Sequence, residues 1–167
     1  MKLERVLNRF LKKQDFDCAA CEDDYFFYGY SKSVIGFTTK SDERMDRLFR
    51  EFAVRLGLEW ECGDFLLAFF HELGHHETMD LLEEEDYLFS QDVKGTLTAS
   101  DEDCEIYFNL PDEIEATLWA IDYINANEEI IKKLKKSIDK AMYYNYRKRG
   151  NTNEIHSKHF DERFRNF

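Results

Sequence analysis

The chain has 167 residues, with 35 acidic and 23 basic side chains and a formal net charge of −12. This length suffices for one domain with its own apolar core, and fifteen Phe and nine Tyr exclude disorder along the whole chain. The acidic balance excludes nucleic acid and anionic membrane surfaces as main partners, because phosphate binding needs clustered Lys and Arg.

The N-terminus lacks the features of a targeting signal. Residues 1–10 contain no apolar run, and no stretch of the chain approaches the roughly 18 apolar residues of a membrane span. We therefore expect a cytoplasmic protein with reduced thiols. Cys18 and Cys21 form a single CxxC, while Cys62 and Cys104 are isolated, so a four-thiolate zinc site lacks its second close pair. Ordinary free thiols are expected.

A helix, two strands and a second helix are predicted in the first third of the chain. Apolar residues recur at helical spacing over residues 2–14. Residues 25–30 and 33–39 are aromatic and β-branched, which predicts two short strands in a hairpin. We expect the edge of the second strand to offer a binding place for an extended peptide. A capping sequence at residues 41–44 then begins a helix that ends at Gly57.

The most informative segment is the sequence HELGH at residues 71–75. It lies in a helix predicted over residues 63–79, because its apolar lead-in contains neither proline nor an interior glycine. Residues four apart share one face of a helix, so His71 and His75 can bind the same metal ion. Glu72 lies one position further round, where its carboxylate can take a proton from a metal-bound water.

The glycine in the middle of this motif, Gly74, is itself informative. An interior glycine costs a helix about 1 kcal/mol relative to alanine. Its presence therefore indicates that another element approaches this face closely. The alternative interpretation of the whole motif is a pair of partly buried histidines on a core helix.

The segment of residues 83–105 is strongly acidic. Between Glu72 and Glu115, Lys94 is the only Lys or Arg. A long excursion of this kind within a compact domain is usually functional or mobile. Two structures remain open for it: a strand at residues 93–98, or a lid over a cleft.

Two further helices are predicted after the acidic segment. Pro111 suits the first turn of a helix over residues 111–125, and residues 130–146 form a last helix with a basic face. Residues 151–167 are expected to form a polar tail, whose two histidines are not expected to bind metal.

A catalytic zinc site needs three protein ligands and an open position for water. The metzincin pattern requires glycine at position 78 and histidine at position 81, but Thr78 and Leu81 stand there. The following helix offers Glu113 and Glu115, which are two residues apart and cannot both face the metal. Glu115 shares a flank with Leu118, so we expect Glu115 to be the third ligand. Glu113 remains the alternative ligand, although its position in the first turn is more typical of a surface charge that complements the helix dipole.

These motifs resemble those of the ImmA/IrrE-like group of small gluzincin zinc metallopeptidases. Residues 71–75 match the HExxH of that group, and residues 113–116 match its E-x-E-A signature, which supplies the glutamate ligand. The resemblance covers mainly residues 25–125. It implies an α+β fold, namely a mostly helical, zincin-like minimal gluzincin domain over residues 1–150. A small antiparallel sheet of short strands would pack on its active-site helix. The chain departs from many members at residues 117–123, after which no Met-Pro follows.

The residues and the resemblance together imply zinc-dependent hydrolysis of peptide bonds in a peptide or protein substrate. Zn²⁺ would be held by His71, His75 and Glu115, with Glu72 as the general base. The alternative is a non-catalytic binding or scaffold module, in which zinc only holds the helices together. The oligomeric state is not predicted.

Supporting residues are predicted less sharply than the ligands. Asp122 lies on the same flank as Glu115, where it can accept a hydrogen bond from a ligand histidine. A tyrosine would serve as the donor to the tetrahedral oxyanion. The candidates for that donor are Tyr107, Tyr123 and Tyr143.

Overall fold

The computed structural model describes residues 2–98 and 100–150 of the chain. The described part is mostly helical and agrees with the predicted α+β class; the predicted tail, with His156 and His159, lies outside it. No helix of the described part combines the length and apolarity needed to cross a bilayer. The helices are α1 (Leu3–Lys13), α2 (Glu43–Arg55), α3 (Asp64–Thr78), α4 (Glu84–Lys94), α5 (Asp101–Phe108), α6 (Pro111–Ala126) and α7 (Glu128–Gly150).

Three short strands form one sheet in the order β1-β3-β2. Their bounds are β1 (Ala19–Glu22), β2 (Phe27–Gly29) and β3 (Val34–Phe37). β2 and β3 pair antiparallel, which confirms the predicted hairpin, whereas β1 pairs parallel with β3. The sheet is therefore mixed, and the prediction of an antiparallel sheet is wrong in this respect.

The sequence does not reveal β1 because three of its four residues are alanine or glutamate, which are depleted in strands. The presence of β1 changes the role expected of β3. Since β3 pairs with β1 on one side and with β2 on the other, it is the central strand and has no free edge. The prediction that an extended peptide binds to the edge of β3 is therefore wrong.

The ends of α2 follow the predicted capping chemistry. The side chain of Asp42 accepts hydrogen bonds from the backbone N–H groups of Arg44 and Met45. Gly57 follows the helix with φ of +111°, a conformation that favours glycine. These local signals set both ends of α2 close to where the sequence predicts them.

The main apolar core is built around α3. Leu66, Leu67, Phe69, Phe70 and Leu73 of this helix are all buried, so α3 is covered on nearly every side. Side chains of α1, α6, α7 and the sheet complete the cluster. Burial of each such large side chain stabilises the fold by roughly 1.5–3 kcal/mol. Among the described elements, α3 and α6 form the most extensive contact of any pair.

The acidic segment of residues 83–105 is helical, because it contains α4 and the first half of α5. The alternative of a strand at residues 93–98 is wrong, since Val93 and Lys94 are the last residues of α4. α4 packs on α6, while α5 packs on α2 and α6. A second, smaller apolar cluster joins α5 to α2, with Phe52, Cys104 and Phe108 at its centre.

Candidate metal centre

The helix α3 places both motif histidines in the interior. His71 and His75 are each 7% exposed, and their ring centroids lie 4.7 Å apart. The ring of Phe49 from α2 packs edge-on against His71, at 5.0 Å between centroids. The one-turn spacing of the two histidines therefore directs two imidazoles towards a single buried point.

At Gly74, the backbone of α6 lies very close to α3. A Cβ atom built on Gly74 would lie only 2.2 Å from the backbone oxygen of Ala116. Only glycine fits there without displacement of the backbone. This confirms the close approach of another element that the sequence predicted at Gly74. The contact brings the first turns of α6 beside the two histidines.

The carboxylate that lies against the histidines belongs to Glu113. Its Oε2 atom is 3.0 Å from Nε2 of His71, and its Oε1 atom is 3.5 Å from Nε2 of His75. The side chain of Glu113 is almost completely buried. One ligand atom from each of the three residues can be chosen so that all lie within 4.8 Å of one another. Two imidazoles and a carboxylate in this arrangement can hold a metal ion.

Glu115 does not reach this point, so its predicted place beside the histidines is wrong in the structure. Its side chain is exposed. Two residues along a helix correspond to a rotation of roughly 200°, so the burial of Glu113 turns Glu115 away from the histidines. Glu113, predicted as a surface charge, is instead one of the most deeply buried residues of the chain.

The error arose in the choice of the inward face of α6. The large residues Ile114 and Leu118 suggested one face, yet both are only half-buried. The buried face instead carries small side chains, Ala116, Thr117 and Ala120, because α6 lies too close to α3 for large ones. Glu113 precedes them on this face at helical spacing.

Thr117 is the hydrogen-bond partner that orients His71. Its hydroxyl donates to the backbone oxygen of Glu113 at 2.7 Å, which leaves the hydroxyl oxygen to accept from Nδ1–H of His71 at 3.0 Å. This pattern directs Nε2 of His71 towards Glu113. Asp122, predicted for this kind of role, is exposed and does not take part.

Comparisons with protein-family models, with curated proteins and with solved structures gave no significant match to this chain. The chemistry of the site therefore follows from its own residues. Burial alone would raise the pKa of Glu113, but hydrogen bonds from His71 and His75 outweigh it and hold that pKa well below its usual value. Burial alone would lower the pKa of His71, but the hydrogen bond and the charge of Glu113 raise it above the ordinary value. A metal ion that binds here displaces a proton from this pair.

Glu72 is half-buried beside the three clustered residues. Burial raises the pKa of its carboxyl, although the charges of His71 and His75 act in the opposite direction. Within the described residues, the group that can hold a metal ion does not include Glu72. A carboxylate with a raised pKa takes up a proton more readily than an ordinary one.

Lys94 and Asp112 are two charged residues at the site that were not predicted from the sequence as site residues. The ammonium of Lys94, from the end of α4, lies 2.5 Å from Oδ2 of Asp112 and 2.5 Å from Oε1 of Glu113. Burial would lower the pKa of Lys94, but these carboxylates outweigh it and raise that pKa. The signal that could have found this residue was its isolation, since Lys94 is the only Lys or Arg between Glu72 and Glu115.

Of the three predicted tyrosines, only Tyr107 is brought to the site. Burial, together with the nearby charge of Glu113, raises the pKa of its hydroxyl. Tyr123 instead stacks on Trp119 and Phe70 in the core, and Tyr143 lies on α7. Tyr30, which the sequence did not single out, lies near enough to Glu72 and Glu113 that their charges add to burial in raising its pKa.

The cysteines do not contribute to this group. All four are free, with Cys62 and Cys104 buried and the other two half-buried. Burial raises the pKa of Cys18 and of Cys62 to about 12, which keeps both thiols protonated and unreactive near neutral pH.

Proposed function

We propose that this chain is a zinc-dependent peptidase of the small gluzincin type, similar to the ImmA/IrrE-like group, with a zincin-like fold. His71, His75 and Glu113 would hold the zinc ion, and Glu72 would act as the general base. The observation that carries this proposal is the buried His71, His75 and Glu113 group beside a carboxylate that is not part of it. Two histidines and one glutamate are a common ligand set of catalytic zinc.

A zinc ion bound at this site would polarise a peptide carbonyl and lower the pKa of a water molecule towards neutrality. Every other step falls to residues of the chain. Glu72 would accept the proton of the attacking water and deliver it to the departing amine. Burial raises the pKa of Glu72, which makes its carboxylate a stronger base for the first of these transfers.

Tyrosine side chains near Glu72 are the proposed donors to the oxyanion. Tyr30 follows β2, and Tyr107 lies on α5, so the two reach the site from different elements. The hydroxyl of Tyr107 lies close enough to Glu113 that, after burial, the charge of this carboxylate has the largest effect on its pKa. Tyr30 is therefore the better candidate to hydrogen-bond with substrate, and Tyr107 the better candidate to orient Glu113.

The proposed substrate-binding edge is that of β2. β2 pairs with β3 on one side only among the described strands, and it packs against α3. The hydroxyl of Tyr28 in β2 lies 2.8 Å from Nδ1 of His76, next to the motif. An extended peptide added to this edge would run beside the histidines.

A non-catalytic scaffold is the second candidate, and one observation favours it. The three proposed ligands are nearly inaccessible, since His71 and His75 are 7% exposed and Glu113 is 1% exposed. A purely structural zinc site is closed in this way. Such a site has no use for Glu72, however, so the role of Glu72 separates the two candidates.

The decisive experiment compares wild type, Glu72→Gln and Glu77→Gln. Glu77 is a matched control, because it is an exposed glutamate on the same helix. We expect one zinc ion per chain in all three proteins, and cleavage of a broad peptide library by the wild type and Glu77→Gln. Loss of the general base should lower the rate of Glu72→Gln by about 10²–10⁴-fold. Zinc without cleavage in any of the three would establish the scaffold, and wild type without zinc would exclude both.

A further inference from the structure

The only Lys or Arg between Glu72 and Glu115 lies at the proposed metal centre. Lys94 ends α4, and its ammonium lies 2.5 Å from Oδ2 of Asp112 and 2.5 Å from Oε1 of Glu113. Its ammonium also lies over the ring of Tyr107, with Nζ 5.3 Å from the ring centroid. Two carboxylates and an aromatic ring thus fix one ammonium group.

The two oxygens of Glu113 have different partners. Oε2 lies 3.0 Å from Nε2 of His71, while Oε1 lies 2.5 Å from the ammonium of Lys94 and 3.5 Å from Nε2 of His75. Charge-assisted hydrogen bonds are roughly twice as strong as those between neutral groups. Lys94 therefore engages Oε1 and leaves Oε2 on the side of His71.

Asp112 explains why the ammonium stays in place. This residue is completely buried, and within the described residues its Oδ1 atom has no hydrogen-bond partner. A buried carboxylate is strongly destabilised unless a positive charge compensates it, and the ammonium of Lys94 on Oδ2 supplies that charge. The ammonium of Lys94 is thus shared between two neighbouring carboxylates, Asp112 and Glu113.

We propose that Lys94, anchored by Asp112, is a positioning residue that holds Oε1 of Glu113 and so makes this carboxylate bind the metal through Oε2 alone. The proposal rests on the proposed metal centre. Lys94 acts through Glu113 and does not itself bind metal, because its ammonium offers donors and no lone pair. The same ion pairs attach the end of the acidic helix α4 to the first turn of α6.

Cobalt(II), used alone as the probe metal, tests this proposal without any measurement of activity. Its visible absorption depends on coordination number and weakens as a four-coordinate site gains a fifth ligand atom. In Lys94→Met, Oε1 of Glu113 is released and can join Oε2 on the metal, so we expect weaker and shifted absorption. Lys94→Arg should retain the wild-type spectrum, because the guanidinium offers charged donors to the same two carboxylates.

The matched control is Lys40→Met. Lys40 forms an ion pair with Asp24 at the surface, with its side chain 74% exposed, and should leave the cobalt spectrum unchanged. Lys94→Met leaves the buried carboxylate of Asp112 without its positively charged partner. The double variant Lys94→Met with Asp112→Asn is therefore measured beside it. If the single variant fails to fold, the double variant is expected to show the weaker absorption.

The failure of this proposal is distinguishable from that of the proposed function. Cobalt bound with the wild-type spectrum in both Lys94→Met and the double variant would overturn the role of Lys94 and leave the metal centre intact. A wild-type protein that binds no cobalt would overturn the metal centre, and the role of Lys94 with it. Weaker absorption in Lys94→Met that Lys94→Arg restores would establish the positioning role.

Discussion

The helix pair α3–α6 and the acidic segment both bring side chains to the candidate metal centre, but the two regions hold their side chains in different ways. In α3–α6 the backbones touch, with Gly74 against Ala116, and the three clustered residues follow directly from that contact. The acidic segment reaches the centre through one long side chain, Lys94, and it leaves Leu88 and Phe89 more than half exposed.

This difference indicates that the α3–α6 contact forms the site, whereas the acidic segment adjusts it through Lys94. Residues on two closely packed helices are fixed within a fraction of an ångström, because neither backbone can move without opening the core. A lysine on a peripheral helix depends on its ion pairs to stay in place. Changes at the α3–α6 contact should therefore abolish the centre, whereas changes on the outer side of the acidic segment should leave it intact.

The largest effect is expected from Gly74→Ala. The added methyl group would overlap the backbone oxygen of Ala116, so the two helices must separate. We expect the free energy of unfolding to fall by more than about 3 kcal/mol, beyond the usual cost of an overpacked core. Chemical denaturation measures this change, and the zinc content of the folded fraction should fall with it.

Gly95→Ala is the control for that experiment. A Cβ atom at Gly95, at the end of the acidic helix, would meet no atom closer than 3.5 Å, and its backbone conformation suits any residue. We expect little change in stability or zinc content. Wild-type stability in Gly74→Ala would show that the helix contact tolerates movement, and the contrast between the two regions would fail.

The next effect is the loss of one ligand. Glu113→Gln removes the buried charge that faces both histidines, whereas Glu115→Gln makes the same chemical change at an exposed site two residues away. We expect zinc affinity to fall by more than the roughly 100-fold that loss of a ligand's supporting partner costs. Competition with a chromophoric chelator gives the affinities. Weaker binding in Glu115→Gln, with Glu113→Gln unchanged, would reverse the assignment.

The sequence determined the motif helix better than its partner helix. Local signals sufficed for α3, because HExxH and its apolar lead-in need no knowledge of what packs against them. The assignment of the inward face of α6 failed, since it depends on how closely α6 approaches α3. Gly74 carried that information, because a glycine that demands close approach implies small residues on the opposing face. Ala116 and Ala120 form such a face, and Glu113 shares it.

The role of Lys94 could not be predicted from the sequence, for a different reason. Its isolation among acids was visible, but its partners Asp112 and Glu113 are eighteen and nineteen residues away. Only the packing of α4 on α6 joins them. β1 was missed for a similar reason. It pairs parallel with β3, and a parallel pair is not joined by a tight turn that could be recognised in the sequence.

A smaller effect is expected from Thr117→Val, which keeps the shape of the side chain and removes the hydroxyl that orients His71. Loss of such a partner typically costs 10–100-fold in metal affinity, and we expect a value of about this size here. Thr78→Val is the matched control, since Thr78 is also buried and its hydroxyl, within the described residues, bonds to the backbone oxygen of Gly74 and not to a histidine. Equal zinc affinities in the two variants would exclude an orienting role for Thr117.

The smallest effect should come from Glu105→Gln on the outer side of α5. Glu105 accepts two hydrogen bonds from Arg55 of α2, at 2.7 and 2.9 Å, and both side chains are more than half exposed. Because solvent weakens such a pair, its loss should cost about 0.2–1 kcal/mol of stability and should cost less in high salt. Zinc affinity should not change, since the nearby Phe52, Cys104 and Phe108 cluster still holds α5. A weaker zinc affinity in this variant would mean that strain at the outer side of α5 reaches Glu113 through Tyr107, and the two regions would then act as one.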